Sequence, residues 1–134
     1  MRFKYSTTHP DQDALDSMPR LPLLLQNGTH ALEVAALVDS GAMVNVLPYS
    51  VGLKLGLVWD NRKANLRLAG NLERSLAMPV LVVGKLEKFP PVRLVFAWLP
   101  HDDAALILGQ TNFFSEYEIC FFRASMEFEV KPKK

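Results

Sequence analysis

Cysteine is almost absent from this sequence of 134 residues, because Cys120 is the only one. A lone cysteine excludes an intrachain disulfide and any metal site built from several thiolates. The three histidines, His9, His30 and His101, have no metal-ligand spacing. We therefore predict neither a metal site nor a cofactor.

Long apolar runs and a strong net charge are absent too. No run reaches the roughly 20 apolar residues that cross a bilayer, so we predict no membrane partner. The 15 basic and 14 acidic residues leave a net charge of +1, which does not favour a nucleic-acid partner. The opening residues, MRFKYSTTHPDQ, lack the apolar segment of a secretory signal, and we expect a cytoplasmic location.

The composition is typical of a globular protein. Hydrophobic residues make up 49% of the chain and charged residues 22%. A chain of this length forms one core more readily than two. We therefore expect residues 1–134 to form a single domain.

Two turn signals predict β-hairpins. Asn27-Gly28 lies between two apolar runs and predicts the tip of a first hairpin. Gly70-Asn71 lies between ANLRLAG and LERSLAMPVLVVGKL, where glycine suits a positive φ, and predicts a second, protruding hairpin.

Short helices and further strands complete the predicted fold. A brief helix over YSVGLKLG ends at Gly56, and QTNFFSEY predicts another with Thr111 or Asn112 as its N-cap. The stretches AMVNVLP, PVRLVFAWLP, YEICFF and SMEFEVK read as strands. Many short strands without a βαβ rhythm predict an all-β barrel or folded sheet with one or two short helices.

One polar triplet interrupts the stretch ALEVAALVDSGAMVNVLP, residues 31–48. Asp39, Ser40 and Gly41 separate two apolar strands, and a carboxylate beside such strands is costly to desolvate. The triplet is therefore either a tight Asp-Ser-Gly turn without chemistry or a site that uses the acid. A second motif, LILG at residues 106–109 ahead of a short helix, favours the second interpretation.

The pair of motifs LVDSGA, residues 37–42, and LILG resembles the retropepsin-like aspartic proteases, closer to their cellular and bacterial branch than to the retroviral enzymes. The resemblance implies an acid-protease barrel with a flap hairpin, in which the strand of the second motif lies beside the catalytic loop. It makes Asp39, Ser40 and Gly41 catalytic. It assigns substrate binding to the loop residues Ala42 and Met43 and to the flap residues Leu68, Ala69, Gly70 and Asn71. Gly70-Asn71 alone is equally an ordinary hairpin turn.

Hydrolysis by an aspartic protease needs two carboxylates, but this chain has only one Asp-Ser-Gly motif. The stretch LDSMPR also contains Asp-Ser, but it has Met18 where the turn needs glycine. Two carboxylates about 3 Å apart keep a single proton between them, so one acts as base and the other as acid. The expected protein is therefore a homodimer that hydrolyses a polypeptide substrate with Asp39 from each subunit. The resemblance gives Ser40 a hydrogen bond across the twofold axis.

Two positions depart from the retroviral pattern. Retroviral relatives carry an acidic residue two places after the first glycine and an arginine after the second, whereas this chain has Met43 and Gln110. Because both partners of that ion pair are absent together, no charge is left unpaired. An alternative function is a catalytically inactive module of the same fold that binds peptides or proteins. We also expect an apolar pocket lined by Met43, Leu47, Leu68, Leu72 and Leu106.

Overall fold

The structure is a computed structural model that describes residues 1–13, 16–68 and 76–133. Within these residues the strands are β1 (Arg2–Lys4), β2 (Arg20–Asn27), β3 (His30–Val38), β4 (Asn45–Leu47), β5 (Leu66–Arg67), β6 (Leu76–Lys85), β7 (Val92–Trp98), β8 (Ile107–Leu108), β9 (Tyr117–Phe122) and β10 (Glu127–Pro132). The helices are α1 (Tyr49–Lys54) and α2 (Phe113–Glu116), and 3₁₀ turns cover Asn61–Lys63 and Arg123–Ser125. The all-β class and the two short helices predicted from the sequence are confirmed.

The larger of two sheets has the strand order β2-β3-β8-β4-β7-β6-β5, and β2 also pairs with β6. This additional pairing makes the sheet ring-like. The smaller sheet has the order β1-β10-β9. Its strands come from the two ends of the described chain.

The first hairpin forms where the sequence predicts it. Asn27 pairs with His30, so the two residues at the tip are Gly28 and Thr29. Gly28 has a φ of 60°, which glycine adopts without the steric cost of a side chain. The hairpin ends at Val38, directly before the polar triplet.

Strand β8 lies between β3 and β4. Leu37 and Val38 pair in parallel with Ile107 and Leu108, and Val46 pairs antiparallel with Ile107. The strands before and after the DSG triplet are therefore held apart by the strand of the second motif. All three residues of β4 are buried.

The second predicted hairpin is partly described. Leu66 pairs with Ala77, and Arg67 pairs with Leu76, so β5 and β6 form its two arms. Its predicted tip, Gly70-Asn71, lies outside the described residues.

The second predicted helix begins where expected but is not capped as expected. Helix α2 follows Asn112, whose side chain accepts no hydrogen bond from the helix. The Asn112 side chain instead accepts the Val95 N–H at 3.0 Å and donates to the Arg93 carbonyl at 2.7 Å. Tertiary contacts with β7 have replaced the local cap.

The main core joins the two sheets. It contains fully buried side chains from the larger sheet, such as Leu25 and Phe96, together with Phe128 and Val130 from β10. Burying such aliphatic and aromatic side chains is the main source of stability. No helix of the described residues is long and apolar enough to cross a membrane. The cytoplasmic location stays a prediction.

Tyr117 provides a test of this core. Its hydroxyl is buried and has no hydrogen-bond partner among the described residues. Burial, together with the charge of Glu116, raises the pKa of Tyr117 above the ordinary 10.0. As the pH rises, Tyr117 therefore loses its proton in the unfolded chain before it does so in the folded chain. The contribution of neutral Tyr117 to the free energy of unfolding is complete below about pH 10 and is lost as the pH rises through the folded pKa.

We expect Tyr117→Phe to raise the free energy of unfolding by about 1 kcal/mol, because it removes an unpaired buried hydroxyl. The variant should also lose less stability than the unaltered chain between pH 9 and pH 11, as measured by urea unfolding. Tyr5→Phe, which alters a partly exposed ring, is the control. A clear loss of stability in Tyr117→Phe would contradict the unpaired hydroxyl.

Candidate active site

The DSG triplet forms a tight turn at the end of β3. The Asp39 N–H donates to the Leu108 carbonyl at 3.0 Å, which fixes the start of the turn against β8. Oδ1 of Asp39 accepts the Gly41 N–H at 2.9 Å, and the Ala42 N–H donates to the Asp39 carbonyl at 3.2 Å. The carboxylate is therefore oriented by its own turn. No other hydrogen bond to it occurs among the described residues.

The residues after the second motif hold the other side of this turn. The Gln110 and Thr111 N–H groups donate to the carbonyls of Ala42 and Met43, at 2.9 and 2.8 Å. The Gln110 side chain also donates to the Ser40 carbonyl at 2.8 Å. Gln110 occupies the position at which the resemblance implies an arginine. Its neutral amide connects the segment after the second motif to the DSG turn by a hydrogen bond and not by an ion pair.

Gly109 allows this close approach. A side-chain carbon at that position would lie 2.5 Å from the Val44 carbonyl oxygen and 2.8 Å from that of Ala42. Both contacts are with backbone, which cannot move aside without opening the turn. The glycine of the second motif is therefore required by packing against the first.

The sequence analysis did not single out Asn45, which is the only buried residue of a polar or charged type among the described residues. Its Oδ1 accepts the Gly109 N–H at 2.8 Å. Its Nδ2 donates to the Val95 carbonyl at 3.0 Å and to Oδ1 of Asn112 at 3.1 Å. One amide thus joins β4, the second motif, β7 and the residue before α2. The signal in the sequence was an asparagine inside a run predicted to be a buried strand, because a buried amide needs partners.

An open cavity of about 260 Å³ lies beside the carboxylate. Its lining residues come from the segment before β2, from the end of β3, from the turn and from β9, and they are Met18, Pro19, Leu37, Val38, Asp39, Ser40 and Phe121. Asp39 is the only acidic residue among them. One chain therefore brings one carboxylate to this cavity.

A small apolar cluster lies at the base of the second hairpin. Its buried members are Val46, Ala77, Ala97 and Leu99, and the partly buried Val44, Leu68, Ala104 and Ile107 pack against it. Leu68 thus reaches the same cluster as Val44, which follows the DSG turn, and Ile107 of the second motif. Residues of the second hairpin, of the segment after the DSG turn and of the second motif thus form one partly open apolar surface.

The predicted substrate-binding residues have different surroundings. Ala42 is partly buried within the turn, Met43 is 69% exposed, and Leu68 packs on the apolar cluster. Ala69, Gly70 and Asn71 lie outside the described residues.

Two of the residues predicted to line an apolar pocket lie in the interior. Leu47 is fully buried and Leu106 is 7% exposed, and both belong to the main core. They do not line an open pocket, so that prediction is wrong for both. For Leu47 the reason is that β4 is buried on both faces, which an apolar run alone does not reveal. Leu72 lies outside the described residues.

No group of three or more His, Cys, Asp or Glu side chains in the described part of the chain is arranged to hold a metal ion. A larger open cavity of about 540 Å³ lies on β2, β3 and the end of β6 and is lined by Pro22, Leu23, Leu24, Glu33, Val34, Lys85 and Glu87. It contains no residue of either motif.

We compared this chain with known protein families and with curated proteins. Neither a scan of protein-family models nor a search of curated proteins finds a match to this chain.

The hydrogen bonds of Asn45 predict a large effect on stability. We expect Asn45→Ala to lower the free energy of unfolding by about 3 kcal/mol, because it leaves the buried Gly109 N–H unpaired and removes a donor from the part-buried Val95 carbonyl. Asn65→Ala, at an exposed position, is the matched control. Urea unfolding measures both, and equal stabilities for the two variants would contradict the bracing role of Asn45.

Proposed function

We propose that this chain is a retropepsin-like aspartic endopeptidase that cleaves peptide bonds as a homodimer. The observation that carries the proposal is the turn at Asp39, where an open cavity lies beside the carboxylate. Leu108 of the second motif and the following residues Gln110 and Thr111 hold this turn by hydrogen bonds. A plain surface turn needs no such bracing. The position of β8 between β3 and β4 also supports the proposed fold, because the resemblance places that strand beside the catalytic loop.

In the proposed reaction, Asp39 of each subunit contributes one carboxylate, and the pair holds one proton. The ionised member takes a proton from a water molecule, and the water oxygen bonds to the scissile carbonyl carbon. The protonated member donates its proton to the carbonyl oxygen. The tetrahedral intermediate then collapses and the C–N bond breaks. The leaving nitrogen receives the proton that the first carboxylate took from the water, and a hydroxyl of the intermediate returns a proton to the second carboxylate, so the pair again holds one proton. No covalent bond to the protein forms.

The residues around Asp39 have supporting roles. Gly41 donates its N–H to the carboxylate at 2.9 Å and so keeps Oδ1 oriented. The Ser40 backbone is held by Gln110, which leaves its exposed side chain available to contact the partner subunit. Pre-organised groups of this kind lower the cost of reorienting dipoles during the reaction.

The substrate we propose is an extended polypeptide bound between the second hairpin and the DSG turn. The partly open surface of Val44, Leu68 and Ile107 is apolar, so it favours apolar side chains in the substrate. Met43 is mostly exposed beside it and offers a further apolar contact.

A second candidate function is peptide binding without cleavage. The observation that favours it is the neutral pair Met43 and Gln110, because the Gln110 side chain is already engaged with Ser40. In this case the same apolar surface binds a peptide, and the carboxylate of Asp39 is not needed.

The two functions differ in their response to Asp39→Asn. For the protease, we expect this variant to reduce cleavage of a broad peptide library by at least about 10³-fold, because the amide neither accepts the water proton nor shares one. Cleavage is followed by mass spectrometry between pH 4 and pH 8.

The matched control is Asp16→Asn, which changes the exposed Asp-Ser-Met sequence that lacks the glycine. This variant should cleave like the unaltered chain. Cleavage that survives in Asp39→Asn would overturn the protease. Peptide binding unchanged in Asp39→Asn, with no cleavage by the unaltered chain, would instead establish the binding module.

A further inference from the structure

We propose that the larger cavity, the one on β2, β3 and the end of β6, binds a basic segment of the polypeptide substrate at a distance from the cleaved bond. The inference rests on the proposed function only in naming the ligand as a substrate. The site itself is defined by the cavity, whose lining combines apolar residues with two glutamates and one lysine.

The first hairpin has two different faces. The alternate residues of β2 and β3 that belong to the main core are Leu21, Leu23, Leu25, Ala36 and Val38. Side chains alternate between the two faces of a strand, so the residues between these lie on the opposite face, called the outer face below. Among the residues of the outer face are Pro22, Leu24, Glu33, Ala35 and Leu37.

The larger cavity opens where β6 leaves this hairpin. The pairing of β2 with β6 ends at Leu24 and Lys85. The chain then turns, and the Phe89 N–H donates to the Leu86 carbonyl at 2.8 Å. Pro22, two residues before Leu24, has no backbone N–H with which to continue a ladder. An open space of about 540 Å³ is left beside the hairpin.

Glu33 contributes one carboxylate to this cavity. It is exposed and is the only acidic residue of β3. Glu33 lies opposite Leu24, and Leu24 lies opposite Lys85, so the three residues form a row across the strands. The Lys85 ammonium donates to the Glu87 carbonyl at 2.7 Å. The Glu33 carboxylate has no ion-pair partner among the described residues.

Glu87 contributes the second carboxylate, from the turn after β6. Its φ is 45°, in the left-handed region, where a residue with a side chain is less stable than glycine. A glutamate at such a position indicates that the side chain has a role. Glu87 is exposed, and its carboxylate likewise forms no ion pair within the described part of the chain.

The charges of the cavity select a cation. Two carboxylates face one ammonium, and that ammonium is already bonded to a backbone carbonyl. An arginine or lysine side chain of a ligand would lay its aliphatic stem on Pro22 and Leu24 and direct its charged end to Glu33 and Glu87. The ligand class that suits this cavity is therefore a polypeptide segment with a basic residue flanked by apolar ones.

The outer face also connects this cavity to Asp39. Leu37 lies on the outer face and lines the smaller cavity, which contains Asp39. The exposed Ala35 lies opposite Pro22, which lines the larger cavity. One small residue of β3 thus separates the two cavities along this face.

The spacing along β3 sets the length of substrate that reaches both cavities. From Glu33 to Asp39 the strand covers about 20 Å, at about 3.3 Å per residue. An extended polypeptide spans this distance with about six residues. We therefore expect the basic residue of the substrate to lie about six residues from the cleaved bond.

Peptide binding to the Asp39→Asn variant tests the cavity without cleavage. The probe is a fluorescein-labelled peptide of alternating leucine and arginine, and its binding is followed by fluorescence anisotropy. We expect Glu33→Gln combined with Glu87→Gln to raise the Kd by at least about tenfold, because the arginine loses both charged acceptors. The same peptide with citrulline in place of arginine should bind to the intact cavity more weakly by a similar factor.

The matched control combines Asp11→Asn with Glu118→Gln. It removes the same two negative charges from exposed positions that line neither cavity, and it should leave the Kd unchanged. An equal loss of binding in the two double variants overturns the proposal, and so does a peptide that binds to all variants equally. Circular dichroism and thermal unfolding establish that each variant is folded.

Cleavage of short and long substrates tests the connection to Asp39. The short substrate is a sequence that the unaltered chain cleaves, and two longer ones add a leucine-arginine segment before or after it. At least one longer substrate should have a KM about tenfold lower with a similar kcat, because the added contact does not touch the reacting atoms. The glutamate double variant should lose this difference and still cleave the short substrate normally.

These measurements separate the cavity from the activity. Binding that depends on Glu33 and Glu87, in a chain that cleaves no peptide, leaves the basic-peptide site standing and removes the protease. Cleavage with one KM for short and long substrates, together with binding that does not respond to the two glutamates, removes the site and leaves the protease.

Discussion

The buried amide of Asn45 is the interaction on which the arrangement of the two motifs depends. It is fully enclosed, and it bonds to Gly109, Val95 and Asn112, which lie far from it in sequence. Apolar packing alone is not directional and would allow β8 to slide between its neighbours. A buried amide allows fewer registers, because each slip would leave donors and acceptors unpaired. Asn45 thus sets the register that brings Gln110 against the DSG turn.

Local signals accounted for most of the strands. The hairpin at Asn27-Gly28 and the helix stop at Gly56 each rest on a glycine with a positive φ, 60° and 74° respectively, and such signals are local in sequence. Strand β1 was not predicted, because its three residues RFK have no pattern of their own and form a strand only by pairing with β10. The prediction that Asn112 caps α2 with its side chain was wrong for a similar reason. That side chain bonds instead to backbone groups of Val95 and Arg93 on β7, which is distant in sequence.

The residues of the candidate site could be predicted from the sequence, but the contacts that hold them in place could not. Asp39, Ser40 and Gly41 were recognised as a motif, and so was LILG, because both are short and contiguous. The contacts that hold them are between distant residues, as in the hydrogen bond from Gln110 to Ser40. The role of Asn45 and the exposure of Phe121 likewise depend on which strands become neighbours, which a residue pattern does not specify.

The ends of the described chain lie in one corner of the small sheet. The Met1 amine donates to the Val130 carbonyl, and β10 ends two residues later at Pro132. A short linker would therefore join the two ends without disturbing either sheet, which is the geometry that circular permutation requires. The exposed residues Glu87 and Lys88, in the loop between β6 and β7 on the larger sheet, would then be a natural place for new ends. The order in which the two motifs occur along the chain can thus be reversed while their contacts are kept.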